Sequence, residues 1–316
     1  MPIYFFGPLY RALLSGAAGE VKHFEQLPAV LSEPLVITEN GTTQGIKSGE
    51  RSALLQDVDG GRFYRIKGCK PTTQVYGEGH SNPKGGQILS FAEREIQMAS
   101  ELGEIFRREG FEQCYRPVGL FLYDMWFKPP SKRKAERLAA SIFEVRGETR
   151  LLDWGDMLMP REFWLARYFS RSSQPLVVSG VVPSELFEDV PLEVASVEEK
   201  FGIWSGRLLG IMHSNHYTWG RNKNDLSNAH AGNYPMVGEG KGPRPDHVYL
   251  GVVDLDSCTK WVTDYETMRG VQTFELQRLC VGPSYWRRGV EKGYKGETPP
   301  VIAVEDLDNA VKSMQI

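Results

Sequence analysis

Hydrophobic and polar residues alternate over several short runs in the first half of the chain, a pattern typical of β-strands. Residues 52–58 and 62–68 form one such pair, with Asp59-Gly60-Gly61 between them. A turn of this composition predicts an antiparallel hairpin whose return strand ends on Lys67. We also expect a strand over residues 34–38, a central strand pair over 115–127, and a strand with a turn over 141–154.

Helical periodicity replaces this alternation elsewhere. Within residues 91–110, apolar side chains return every three or four positions and predict one buried helix face. A second amphipathic segment, residues 194–215, has a longer apolar stripe. The first stripe consists of Ile96, Ala99, Leu102 and Ile105 or Phe106, and the second of Phe201, Trp204, Leu208, Ile211 and Met212. Further helices are predicted over residues 161–170, 264–290 and 304–316, with a helical cap over 1–30.

The strand-rich part gives way to a helix-rich part near residue 147. This change predicts an α+β protein with two domains, residues 1–147 and 148–316. A basic segment at 129–140 interrupts the strand pattern, and we expect it to be an exposed insertion.

Composition narrows the class of protein. The 316 residues are 41% hydrophobic and 24% charged, as in globular proteins, and no apolar run is long enough for a membrane helix. The formal charge of −3 argues against a general nucleic-acid coat protein. The cysteines Cys69, Cys114, Cys258 and Cys280 form no CxxC pair, which favours reduced thiols in a cytoplasmic protein.

Residues suited to binding a polyphosphate and Mg²⁺ occur in both halves. Lys67 ends a predicted strand, and the next predicted helix carries Glu93 and Glu95 in its first turns. In the second half, a polar loop holds Asn233, and an apolar run predicted as a strand delivers Asp254 and Asp256. Amide and carboxylate oxygens are hard ligands that suit Mg²⁺.

The order of these elements resembles the protein-kinase-like superfamily in its atypical branch. The run Ser227-Asn228-Ala229-His230-Ala231-Gly232-Asn233 resembles the catalytic loop of aminoglycoside phosphotransferase-type kinases, and Val252-Val253-Asp254-Leu255-Asp256 resembles their metal-binding strand. Residues 66–71, with the glycine-bearing loop and helix that follow, are similar to selenoprotein O-type pseudokinases, which act as adenylyltransferases. The resemblance spans roughly residues 34–285 in element order.

This resemblance implies a two-lobed fold with an antiparallel-sheet N-lobe and a mainly helical C-lobe. Lys67 would contact the α- and β-phosphates of ATP, and Glu95 would pair with it, with Glu93 as the alternative partner. Asn233 and Asp254 would bind Mg²⁺, with Asp256 as a possible further ligand. The glycines Gly41, Gly45 and Gly49 would bring backbone amides close to the phosphates.

One position departs from the family pattern. Active phosphotransferases carry an aspartate where this chain has Asn228, and an amide cannot accept the proton of an attacking hydroxyl. Three alternatives remain open: Asp225 supplies the carboxylate, the chain transfers an adenylyl instead of a phosphoryl group, or it binds nucleotide without chemistry as a scaffold. The acceptor, a protein or a small molecule, is not specified by the sequence.

Two other features suggest competing functions. His213 and His216, with His230 further along, could ligate zinc, although no cysteine or carboxylate spacing completes the set. The basic run Ser131–Arg137 is typical of a solvated face, but it could also contact an acidic partner or RNA.

Overall fold

The structure is a computed structural model. It describes residues 20–23, 46–47, 52–56, 63–68, 83, 86–111, 115–129, 134–145, 191–220, 229, 233–234, 236–239, 246–282 and 284–314. The chain divides into two compact units, residues 1–103 with 115–146, and residues 104–114 with 147–316. The described residues form mixed α and β structure with antiparallel sheets.

An antiparallel sheet with strands of unequal length makes up most of the described part of the first unit. Its strands are β1 (Glu20–His23), β2 (Ile46–Lys47), β3 (Ser52–Gln56), β4 (Phe63–Lys67), β5 (Gln87–Ile88), β6 (Tyr115–Phe127) and β7 (Glu136–Val145). They lie in the order β1-β6-β7-β4-β3-β2, and β5 also pairs with β7. The hairpin predicted from residues 52–68 is confirmed, because β3 pairs antiparallel with β4.

Helix α1 (Leu89–Arg108) also belongs, through residue 103, to the first unit. Its predicted apolar face is confirmed, and all five of the predicted positions are buried: Ile96, Ala99, Leu102, Ile105 and Phe106. The helix therefore forms for the reason the periodicity indicated, which is burial of one stripe of side chains.

Three predictions for the first unit need correction. Residues 115–127 form a single 13-residue strand, not a pair of strands. Register shifts interrupt the pairing of this strand with β7. Residues 20–23 form a strand paired with β6, inside the predicted helical cap. The predicted insertion 129–140 includes the start of β7, where Leu138 and its two alanine neighbours are fully buried.

Helices make up most of the described part of the second unit. They are α2 (Leu192–Ser214), α3 (Tyr265–Leu279), α4 (Ser284–Tyr294) and α5 (Val304–Met314). The short strands are β8 (Tyr217–Thr218), β9 (Met236–Glu239), β10 (His247–Leu250), β11 (Thr259–Lys260) and β12 (Ile302–Ala303). They form a three-stranded sheet in the order β12-β10-β9 and a two-stranded sheet of β11 and β8.

Helix α2 is the central element of this unit and packs against α3, α4 and α5. Its contact with α4 is the most extensive, and glycines permit it. A Cβ added at Gly206 would overlap the carbonyl oxygen of Val290 on α4, so only glycine allows the two backbones to approach this closely. The predicted stripe of α2 is buried except at Trp204, which is half-buried and donates its indole N–H to the Pro300 carbonyl at 2.8 Å.

The helical prediction over residues 264–290 is confirmed for most of the segment, but with a break. Helix α3 ends at Leu279 and α4 begins at Ser284, so the segment forms two helices. Pro283 explains the break, since proline lacks the amide hydrogen that a continuous helix requires. The predicted helix at the carboxyl end is confirmed as α5. Among the described helices, none combines the length and the apolar composition needed to cross a lipid bilayer.

Candidate functional site

Lys67 and Glu95 form a buried ion pair in the first unit. The Lys67 Nζ donates to Glu95 Oε1 at 3.0 Å, and each residue is only 1% exposed. Lys67 is the last residue of β4, and Glu95 lies in the second turn of α1. The contact expected between these two residues is therefore present, and Glu93, the alternative partner, is exposed.

Two neutral side chains hold the second oxygen of Glu95. Gln87 Nε2 donates to Glu95 Oε2 at 2.9 Å, and Ser141 Oγ lies 3.0 Å from the same oxygen. The Ser141 hydroxyl also lies 3.1 Å from Gln87 Oε1. We call Lys67, Gln87, Glu95 and Ser141 the Glu95 cluster. Since all four residues are buried, this network fixes the carboxylate from several sides and leaves it little rotational freedom.

The sheet brings the Glu95 cluster together through strand register. Lys67 is opposite Ser141 in the pairing of β4 with β7, and Gln87 is opposite Ala139 in the pairing of β5 with the same strand. Strand β5 therefore pairs with β7 just beyond the point where the pairing of β4 with β7 ends. Directly opposed residues project from the same face of a sheet, which places the Lys67 and Ser141 side chains together.

Gly68 allows β4 to end and β5 to pair with β7 in its place. Its φ is +88°, a left-handed conformation that side chains with a Cβ rarely adopt. An added Cβ would lie 2.5 Å from the Ala139 carbonyl oxygen and 3.1 Å from the Gln87 Cβ. The Tyr123 hydroxyl donates to the Gly68 carbonyl at 3.0 Å and anchors the bend. The chain can therefore turn away at Gly68 and leave room for Gln87.

A second group, in the other unit, contains Asn233 and Asp254. The Val253 amide donates to the Asn233 carbonyl at 3.1 Å, so the two predicted metal-binding residues lie on backbone segments that contact each other. Asn233 is buried and Asp254 is partly exposed. The prediction that a strand delivers Asp254 is wrong, because β10 ends at Leu250 and residues 251–254 have no regular structure.

Asp254 has an unusual backbone conformation. Its φ of 65° lies in the left-handed region, where a residue with a Cβ is uncommon. The Trp219 indole N–H donates to the Asp254 carbonyl at 3.2 Å, which supports that conformation. Such strain is often retained where a side chain must point in one direction. Asp256 follows in a short 3₁₀ helix, Leu255–Ser257, and is buried.

Tyr234 lies beside this group and is fully buried. Its ring meets Trp219 edge-to-face, with ring centroids 5.2 Å apart, and its hydroxyl has no hydrogen-bond partner among the described residues. Burial, and then the negative charge of Glu275, raise the pKa of Tyr234 well above its ordinary value. The phenol therefore stays protonated and cannot serve as a base at neutral pH.

His213, the first of the three candidate zinc ligands, has partners on both ring nitrogens. Nδ1 lies 2.8 Å from the Tyr294 hydroxyl, and Nε2 lies 2.9 Å from Glu275 Oε2. The second oxygen of Glu275 accepts the Gly220 amide hydrogen bond at 2.7 Å. We call His213, Glu275 and Tyr294 the Glu275 cluster. Within the part of the chain that is described, no group of three histidine, cysteine or acidic side chains is arranged to hold a metal ion.

Several predicted residues lie outside the described part of the chain. They are the loop glycines Gly41, Gly45 and Gly49, the candidate bases Asp225 and Asn228, and His230. In the basic run Ser131–Arg137, Lys134 is exposed, whereas Arg137 lies in β7 and donates to the Tyr123 carbonyl at 2.7 Å. That arginine stabilises the pairing of β6 with β7, so it is not part of a solvated basic face.

Gln87 and Ser141 were not among the residues singled out in the sequence. Neither belongs to a motif, and each contacts Glu95 only because strand register brings it there. No protein-family model matches the chain, and no curated protein sequence matches it either.

Proposed function

We propose that this protein has a two-lobed, protein-kinase-like fold and binds ATP with Mg²⁺. The observation that carries the proposal is the buried ion pair of Lys67 and Glu95. A lysine held by a helix carboxylate at the end of a strand is the arrangement that kinases use to direct an ammonium group at the nucleotide phosphates. Gly41, Gly45 and Gly49 would supply backbone amides to the same phosphates.

The donor set of the second group fits Mg²⁺. Asn233 and Asp254 offer amide and carboxylate oxygens on contacting backbone segments, and Asp256 adds a second carboxylate nearby in sequence. Mg²⁺ is commonly bound by one or two carboxylates together with substrate phosphates, so a full set of protein ligands is not required. When bound, the ion would neutralise charge on the transferred group.

We further propose that the reaction is transfer of a phosphoryl or an adenylyl group to a protein or small-molecule acceptor in the cytoplasm. Asn228 takes the position of the usual base, and Asp225 is the nearby carboxylate that could replace it. Phosphoryl transfer relies mainly on positioning and on charge stabilisation, so the loss of one base lowers the rate more than it changes the reaction.

The second candidate function is a catalytically inactive scaffold of the same fold, and Asn228 is the residue that favours it. Such a protein would bind nucleotide or a partner without chemistry. The residual basic positions of Ser131–Arg137 would then serve an acidic partner or RNA. A zinc enzyme is the weakest alternative, because His213 already contacts Tyr294 and Glu275 through its two ring nitrogens.

A thermal-shift titration with ATP and Mg²⁺ tests nucleotide binding. A ligand present at 100 times its Kd stabilises the folded state by about 2.7 kcal/mol. We expect this stabilisation in the wild type and its loss in Asp254→Asn. Asp246→Asn is the matched control, since Asp246 is an exposed aspartate of the same unit. No response of the wild type, or an equal response of the Asp254 variant, would contradict the proposal.

Radiolabelled ATP then separates the reactions. Transfer of the γ label to an acceptor identifies a kinase, and transfer of the α label identifies an adenylyltransferase. Binding without transfer of either label supports the scaffold. The variants Asp225→Asn and Asn228→Asp sharpen the result: the first abolishes transfer if Asp225 is the base, and the second accelerates phosphoryl transfer if the missing aspartate limits the rate.

A further inference from the structure

Strand β4 carries two cations on one face of the sheet. Side chains alternate along a strand, so Arg65 and Lys67 project from the same face, about 7 Å apart along the strand. Both are buried, with Arg65 only 6% exposed. The two residues differ in their partners: Lys67 contacts the Glu95 carboxylate, whereas Arg65 is not within ion-pair distance of any described carboxylate.

The contact recorded for Arg65 is with an aromatic ring. Its guanidinium carbon lies 5.7 Å from the centre of the Tyr115 ring, and its Nε is buried without a hydrogen-bond partner in the described structure. A cation–π contact offsets only part of the hydration that a guanidinium loses on burial. Arginine also keeps its proton at any pH that a folded protein tolerates, so it cannot escape this cost by becoming neutral.

Strand register explains why no carboxylate of the adjoining strands, as far as they are described, reaches Arg65. Its direct neighbours across the two adjoining strands are Leu54 on β3 and Phe143 on β7, and neither can accept a hydrogen bond. The nearest acidic residue along β7 is Glu144, which projects from the opposite face because it follows Phe143. Glu144 is already paired there with Arg116. The charge of Arg65 is therefore left for a group from outside the sheet.

We propose that Arg65 is the centre of an anion-binding site that takes a phosphate or carboxylate group of a ligand. The planar guanidinium can donate two parallel hydrogen bonds to either group. The ring of Tyr115 supports the guanidinium from one side. This site rests on the buried charge of Arg65 and does not require that the ligand be ATP.

The test uses the full-length protein in chloride buffer, without Mg²⁺ or nucleotide, and adds inorganic pyrophosphate or malonate at matched ionic strength. We expect one or both anions to raise the Tm of the wild type by at least about 3 °C more than that of Arg65→Met. A response to pyrophosphate alone identifies a phosphate site, and a response to malonate alone identifies a carboxylate site. Before any anion is added, Arg65→Met should be at least as stable as the wild type, because methionine removes a buried charge.

Arg116→Met is the matched control, since the guanidinium of Arg116 already has Glu144 as its partner. We expect this variant to lose stability and to keep the full response to the anion. Equal Tm shifts in the wild type and Arg65→Met would overturn the proposal, because they would reflect only the general effect of the salt on the protein surface. A wild type that responds to neither anion would overturn it as well.

Arg65→Lys provides a second measurement that remains valid if the methionine variant fails to fold. Lysine keeps the charge but loses the two-point hydrogen bonding, so isothermal titration should show pyrophosphate or malonate binding weakened at least about tenfold. Undiminished binding would contradict the role of Arg65. Since neither ATP nor Mg²⁺ is present, failure of this experiment leaves nucleotide binding untested, and a failed ATP titration leaves the anion site unaffected.

Discussion

The Glu95 cluster and the Glu275 cluster are both built around a buried carboxylate, but they hold it in different ways. Among the described residues, the hydrogen-bond partners of Glu95 are side chains, and these come from three strands of one sheet. Glu275 contacts the ring of His213 and a backbone amide, and Tyr294 contacts the other side of that ring. The first arrangement orients a lysine, whereas the second connects α2, α3 and α4 with the chain at Gly220.

This difference shows that burial of a carboxylate does not by itself identify a functional site. The contacts of Glu275 join α2, α3 and the chain at Gly220, so they are best explained as a tie between these segments. Every described partner of Glu95 is a side chain, and one of them is a cation whose direction the carboxylate determines. The two clusters should therefore respond differently when one member is removed.

The largest expected effect is on the ion pair. In Lys67→Met, the Glu95 carboxylate loses the cation that compensates its burial, and we expect the free energy of unfolding to fall by about 3–5 kcal/mol. Urea unfolding at neutral pH measures this change. Lys200→Met is the matched control, because the pair of Lys200 with Asp306 is partly exposed and should be worth about 1 kcal/mol or less.

A double variant tests whether the loss of stability comes from the unpaired buried charge. Replacing both partners, as in Lys67→Met with Glu95→Leu, removes the buried charges together and should restore much of the stability. A double variant as unstable as the single one would show that the cluster matters for shape and not for charge. That result would mean that the Glu95 cluster, like the Glu275 cluster, mainly holds neighbouring elements together.

An intermediate effect is expected at Gly68, which makes room for Gln87. Alanine there combines a left-handed backbone with an overlap against Ala139, and we expect a loss of about 2–3 kcal/mol in the free energy of unfolding. Gly110 is the matched control, since its φ is +83° but an added Cβ would meet nothing within 4 Å. Gly110→Ala should cost about 1 kcal/mol.

Equal losses in the two glycine variants would contradict this account, because the close approach to Ala139 would then contribute nothing. Thermal unfolding of both variants under one set of conditions is sufficient. The Gly68 variant should also weaken ATP-dependent stabilisation if Gln87 positions Glu95, whereas the Gly110 variant should leave it unchanged.

The smallest effect is expected from the Glu275 cluster at alkaline pH. Burial, and then the charge of Glu275, raise the pKa of Tyr294 above its ordinary value of 10.0. The unfolded chain therefore releases this proton at a lower pH than the folded protein does. Tyr294 contributes stability that is fully present below the unfolded pKa and is lost as pH rises through the folded pKa.

Urea unfolding of the wild type and Tyr294→Phe at about pH 9 and about pH 11 measures this contribution. The wild type should lose more stability between the two values than the phenylalanine variant, which has no phenolic proton. Parallel losses would mean that Tyr294 titrates alike in the folded and unfolded states, contrary to its burial. Tyr265→Phe is a suitable control because that tyrosine is exposed.

The contact of Lys67 with Glu95 was expected from the family resemblance, and the two elements that carry these residues, a hairpin and an amphipathic helix, have strong sequence patterns. The sequence could not predict Gln87 or Ser141, since their positions depend on how β5 and β4 share β7. The same limit applies to Arg65. Its lack of a carboxylate partner follows from which face Glu144 occupies, and that is fixed only by long-range strand register.

Two errors have related physical causes. The apolar run before Asp254 predicts a strand, and Val252 and Val253 are buried, yet Val253 donates its amide hydrogen to Asn233 and not to a strand ladder. The many basic residues of segment 129–140 predict an exposed insertion, although Leu138 and the two alanines after it are core residues. Burial and charge describe a residue's surroundings and do not specify its backbone pairing.

The pairing of both β4 and β5 with β7 also has a practical consequence for engineering. Lys67 and Gln87 are each located by their own pairing with β7, so their separation in space does not depend on the length of chain that joins them. Lengthening a loop costs little free energy, roughly 0.6 kcal/mol for each doubling. An epitope or a fluorescent reporter inserted in the sequence between β4 and β5 should therefore leave the arrangement around Glu95 in place.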